Sequence, residues 1–155
     1  MASQSTTILH AECDRDLARC DPALVNRLDV SLSSVTGKSF RRLRDLKSIN
    51  VSGCGRLKSE PLEELIARSP ELCVFDGRDS NAVSGSIIRA LLRHAKHLEY
   101  LDVNSCSLGR SDIEDIKELT CLPYLTYVGI PWNLKKRERD AIKEHFEKYS
   151  FAEVW

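Results

Sequence analysis

Six cysteines and four histidines are the side chains in this sequence best suited to bind metal, exchange electrons or attack an electrophile. None has the spacing for it. Cys13 and Cys20 have six residues between them, which is not zinc-finger spacing. Cys73 and Cys121 lack a partner motif. His94 and His97 read as a solvent-facing pair at a helix end rather than as two ligands of a metal. Thr36–Ser39, "TGKS", matches the end of a phosphate-binding loop. The full motif needs a glycine five residues before Gly37, where the chain has Leu32, so a helix-starting turn is expected instead. No serine-histidine-acid, cysteine-histidine, paired-carboxylate or His-x-x-x-His signature stands out. The expectation is a protein without catalysis, metal or cofactor.

Cys54 and Cys106 have a different explanation, which lies in the elements around them. Four segments align: "LKSINVSGC" from Leu46, "LCVFDGRDS" from Leu72, "LEYLDVNSC" from Leu98 and "LTYVGIPWN" from Leu125. Their leucines are 26, 26 and 27 residues apart, and a degenerate copy, "VNRLDVSLS", starts 21 residues earlier at Val25. The fourth places hold Ile49, Phe75, Leu101 and Val128, and the sixth places Val51, Gly77, Val103 and Ile130. Apolar residues two apart predict a short strand with one buried face. The ninth places hold Cys54, Ser80, Cys106 and Asn133, where a small buried thiol with a weak S–H donor can meet the backbone as the chain leaves the strand.

A helix is predicted after each strand. Ser59 and Ser84 are candidate N-caps, and Ser111 with Glu114 fits a capping box. Leu62, Leu65 and Ile66 share one helical face, as do Ile87, Leu91 and Leu92, and Ile113, Ile116 and Leu119. A closing helix is expected over "NLKKRERDAIKEHFEKY", capped by Asn133, with Leu134, Ile142, Phe146 and Tyr149 turned inward. Phe151, Val154 and Trp155 form an apolar tail that either folds back or binds a partner. "ECDRDLARC" and "DPALVNRL" read as helical pieces covering the first copy, and residues 1–7 as mobile. The runs "KSFRRLRDLK" and "LKKRERDAIK" read as solvated faces of helices.

This pattern resembles the leucine-rich-repeat family, in its cysteine-containing subtype. The resemblance covers roughly residues 25–133. It implies an α/β solenoid with parallel strands on a concave face and helices on the convex face, capped by helices. Residues 1–24 then form an N-terminal segment and cap, 25–133 the repeats, and 134–155 a capping helix and tail. Stacking is required because a single strand–turn–helix unit cannot bury its apolar side alone.

Residues at the third, fifth and seventh places point away from the core. They make a polar, acid-tending ladder flanked by aromatics. Asp76, Arg78, Tyr100, Asp102, Asn104, Tyr127 and Trp132 are the candidate partner-binding residues. Asp76 and Asp102 are expected to attract a basic segment, and Tyr100 and Tyr127 to provide anchors. The leading expectation is a non-catalytic adaptor or complex subunit that binds a protein. One alternative is the substrate-recognition subunit of a ubiquitin ligase. The repeats resemble those of F-box proteins, although too few residues precede them for an F-box. Leu9, Cys13 and Leu17 are spaced like the core of an elongin-binding box on one helix face. The other alternative is a component of a mitochondrial or other organellar complex.

The totals set outer limits. With 155 residues, the chain suffices for one domain and a sizeable core. Lys plus Arg and Asp plus Glu each number 23, and zero net charge argues against a general nucleic-acid binder. No apolar run approaches a membrane span, and the N-terminus does not read as a secretory signal. Reduced thiols in cytoplasm or nucleus are therefore expected, with a mitochondrial address disfavoured.

Overall fold

The computed structural model describes residues 7–150 and 152–155. The mobility expected of residues 1–6 and the packing of Phe151 fall outside the described residues. Thr7 is anchored, because its carbonyl accepts the Asn26 and Arg27 N–H groups.

Seven short strands form one all-parallel sheet in strict chain order: β1 (Ile8–His10), β2 (Arg27–Asp29), β3 (Ser48–Asn50), β4 (Val74–Asp76), β5 (Tyr100–Asp102), β6 (Tyr127–Gly129) and β7 (Glu153–Val154). Five α-helices are present among the described residues: α1 (Asp14–Arg19), α2 (Ser59–Ala67), α3 (Gly85–His94), α4 (Ile113–Glu118) and α5 (Lys136–Tyr149). The register matches the alignment of the copies. Leu28, Ile49, Phe75, Leu101 and Val128 pair in sequence as the central residues of β2–β6, and all are buried. Their side chains join those of Leu62, Leu65, Ile66, Ile87, Leu91, Ile113, Ile116, Ile142 and Phe146 in one apolar cluster. The helices thus cover one sheet face, and α2 to α5 pack in series.

The turn after each strand is built the same way. The sixth-place N–H donates to the fifth-place carbonyl of the next copy, as in Val51 to Asp76 at 2.8 Å and Gly77 to Asp102 at 2.8 Å. The eighth place is left-handed in four copies: Leu32 at φ 56°, Gly53 at 67°, Asp79 at 54° and Ser105 at 59°. The ninth-place thiols then reach back to the preceding copy. Cys54 Sγ donates to the Val30 carbonyl at 2.9 Å, and Cys106 Sγ to the Gly77 carbonyl at 3.0 Å. Burial pushes the Cys106 thiol up to about 12, so it remains a neutral donor. All six cysteines are free.

The second copy departs from the pattern for a packing reason. A Cβ on Gly77 would stand 2.8 Å from the Phe75 ring and 2.7 Å from Val83. The larger Phe75 fills the space that a sixth-place valine occupies elsewhere.

Several local expectations need correction. Ser59 is the first residue of α2, and its Oγ donates to the Ala82 carbonyl instead of capping its own helix. Ser84 stands at the N-cap of α3, but its hydroxyl meets Ser86. Ahead of α4 the turn is closed by one contact, the Asp112 carboxylate accepting the Gly109 N–H at 2.9 Å, and not by a box of Ser111 and Glu114. α5 begins after Lys135 rather than Asn133, with Glu138 accepting the Lys135 N–H. Tyr149 is exposed and lies against His145 and Lys148, whereas Leu134, Ile142 and Phe146 are buried. In "KSFRRLRDLK" only Phe40–Arg42 forms a single 3-10 turn, and Arg42 donates to the carbonyls of Leu17 and Cys20. Leu9 lies in β1 and Leu17 in α1, so Leu9, Cys13 and Leu17 share no helix face. The tail folds back: Glu153 and Val154 pair with β6. No helix among the described residues is long and apolar enough to cross a membrane.

Candidate functional site: the outward strand face

Parallel sheets are usually covered on both faces. Here the third-place column (Ile8, Arg27, Ser48, Val74, Tyr100, Tyr127 and Glu153) is exposed or half-buried along the whole sheet. A shallow groove of about 290 Å³ crosses its first five strands, bounded by His10, Arg27, Ser48, Asn50, Val74 and Tyr100 among others.

Beside this column, the fifth-place residues repeat one device. Asp29 Oδ1 accepts from the Ser31 N–H and hydroxyl at 3.0 and 2.7 Å. Asn50 Oδ1 does the same with Ser52 at 3.0 and 2.8 Å. Asp76 Oδ1 takes the Arg78 N–H at 3.2 Å and its Nε at 3.0 Å, and Asp102 Oδ1 takes the Asn104 N–H at 3.0 Å and its Nδ2 at 2.9 Å. Strands of three residues end with a backbone donor that the turn leaves open. A short polar side chain two residues earlier satisfies it.

The seven candidate residues therefore gather at the C-terminal half of this face, but the carboxylates are not free. Asp76 and Asp102 are buried, at 9% and 3% exposure. Arg78 holds Asp76 in a two-point contact, with Nη2 to Oδ2 at 2.6 Å, and reaches Asp102 at 3.6 Å. The Asp76 hydrogen bond, ahead of the Coulombic attraction, raises the Arg78 pKa and fixes its charge. The chain's own arginine thus fills the place expected for a partner's basic group. Tyr100 and Tyr127 stack with centroids 4.5 Å apart and planes 5° from parallel. The Tyr100 hydroxyl lies 3.4 Å from Asp102. Burial and then the Asp102 charge push Tyr100 up to about 12, and the same two causes raise Tyr127. Both rings stay neutral at physiological pH.

Gly129 makes this arrangement possible. A Cβ there would fall 2.3 Å from Asp102 Oδ1 and 2.7 Å from Asn104 Nδ2, so these side chains lean across a strand that has no side chain to block them. Trp132 is 67% exposed, with Nε1 donating to Ser105 Oγ at 2.7 Å.

Sequence reading missed Ile8 and His10 at one end of the face and Glu153 at the other, and named Trp155 only as part of the apolar tail. Their strands lie outside the aligned copies, before Val25 and after Asn133, so no repeat marked them. The left-handed eighth place had a signal, since Gly53, Asp79 and Ser105 are turn-forming residues in aligned positions. Other sequence candidates serve the structure. Asp14 accepts both the N–H and hydroxyl of Thr36, so the "TGKS" turn is tied to α1. His97 stacks on Tyr124 and lies 3.7 Å from Glu71.

No family model matches this chain. No curated protein matches it either.

Proposed function

We propose that this chain is a short leucine-rich-repeat solenoid of the cysteine-containing kind, and that it acts as a non-catalytic module binding a protein partner on its concave strand face. The observation that carries this reading is the uncovered outward face of the parallel sheet, with the stacked Tyr100–Tyr127 pair on it. Half-buried aromatic rings beside fixed charges suit a protein interface. The repeat assignment is supported by the recurring turn, with its left-handed eighth place and its ninth-place thiols bonded to the preceding copy. Six free thiols fit a reducing compartment, cytoplasm or nucleus.

The test is affinity purification from the native cell, comparing the natural chain with Arg27→Glu/Tyr100→Ala after a thermal melt of both. These residues project from the face, whereas Asp102 is buried and its replacement would break the strand end. One set of partners is expected to disappear with the double variant. If every partner is retained by an equally stable variant, the outward face is not the working surface.

A further inference from the structure

Both tryptophans of the chain are about two-thirds exposed, Trp132 at 67% and Trp155 at 64%, and both border one corner of the outward face. Val154 packs on the core, so the pleat turns Glu153 and Trp155 outward, and Trp155 Nε1 donates to Glu153 Oε2 at 3.3 Å. In register, Glu153 adjoins Tyr127, which stacks on Tyr100. Trp132 follows β6, two residues after Ile130, whose N–H donates to the Trp155 carbonyl. The floor between the rings is the bare Gly129 backbone with Asp102 leaning over it.

Carboxylates outnumber cations at this corner. Arg78 is shared by the buried Asp76 and Asp102, and Glu153 and Glu147 line the cleft beside Trp155 with one lysine, Lys143. Arg139 of α5, the cation nearest Trp132, is turned to the carbonyls of Trp132 and Leu134. The faces of tryptophan and tyrosine rings attract cations, and a carboxylate at the ring edge adds to that attraction. An excess of carboxylates over cations disfavours a phosphate backbone. A wholly apolar ligand would strip water from Glu153 without replacing its hydrogen bonds.

We propose that this corner binds an extended peptide segment of a partner through a lysine or arginine side chain laid on the aromatic rings beside Glu153. The proposal rests on the reading of the strand face as a protein-binding surface, and it names the partner's chemistry.

The test is selection of a random-peptide display library against the full chain, followed by titration of the selected peptides by tryptophan fluorescence. The selected sequences are expected to share a lysine or arginine. Glu153→Lys and Trp155→Ala are each expected to weaken binding about tenfold, as is replacing the peptide's cation by glutamine. Arg93→Glu, at an exposed position of α3 away from the strand face, is expected to leave that affinity unchanged, and Arg27→Glu is titrated beside it. Thermal melts precede the titrations, and Trp155→Lys replaces Trp155→Ala if the latter loosens β7. Selected sequences without a cation, or affinities indifferent to Glu153→Lys and the Trp155 variant, overturn the proposal. Affinities that respond only to Arg27→Glu also overturn it, but leave the strand face as a binding surface. Failure to select any peptide overturns it too, and affinity purification then decides separately whether the face binds a protein.

Discussion

Asp29, Asn50, Asp76 and Asp102 each accept, at Oδ1, the N–H of the residue two places on, and so close the end of their own strand. Each turn then passes through a left-handed residue, and the four differ in how well they tolerate it. Glycine has no penalty and aspartate a small one, whereas leucine incurs the full steric cost of about 1–2 kcal/mol. Leu32 holds φ at 56° while 86% exposed, so it recovers little by burial. Leu32→Asn is therefore expected to stabilise the chain by about 1 kcal/mol and to raise Tm by about 2–4 °C. A thermal melt followed by circular dichroism checks it. A fall in Tm would mean that the Leu32 side chain, which lies where a Cβ on Gly53 would be, is needed to cover that turn.

Among the elements, the second copy shows how volume is shared between the strand and its turn. Phe75 is larger than its counterpart Leu101, and Gly77 smaller than its counterpart Val103. Gly77→Val alone is expected to destabilise by about 1–3 kcal/mol, because its Cβ enters the Phe75 ring. Phe75→Leu alone leaves a void, at about 1 kcal/mol. The double variant is expected to be more stable than the sum of the two by about 1–2 kcal/mol, read from a double-mutant cycle in urea. Strict additivity would mean that Val83, not Phe75, excludes a side chain at position 77. The apolar columns behind this prediction were legible in the sequence, since Ile49, Phe75, Leu101 and Val128 recur at a fixed place and all reach the core. The caps were less legible, because Ser59 has a competing partner in the Ala82 carbonyl that only the folded chain supplies, and Ser84 has one in the neighbouring Ser86 hydroxyl. The candidate site was half legible. Alternation told which residues leave the core, but not that Arg78, two residues along, would take the carboxylates for itself.

At the scale of the molecule, the strand order makes stability local. Each strand bonds only its sequence neighbours, and α2 to α5 pack in the same succession. The central β3, β4 and β5 have a buried partner on both sides. β1 has one partner and leaves Ile8 47% exposed, and β7 has two residues and one partner. Yet one apolar cluster runs from Ala11 to Phe146, so no seam divides the chain into separate folding units. Nearest-neighbour coupling with a continuous core predicts fraying from the ends rather than fracture in the middle. In native-state hydrogen exchange followed by mass spectrometry, peptides from β3 to β5 are expected to exchange slowest, near the rate set by global unfolding. β1 and β7 should exchange first, before the neighbouring β2 and β6. Placing Gly77→Val in the centre should then lower protection on both flanks, because each flank loses the neighbour it leans on. Equal protection from β1 to β7 would mean that the ends are coupled to the centre as strongly as the centre is to itself, and the end strands would then be part of the core rather than additions to it.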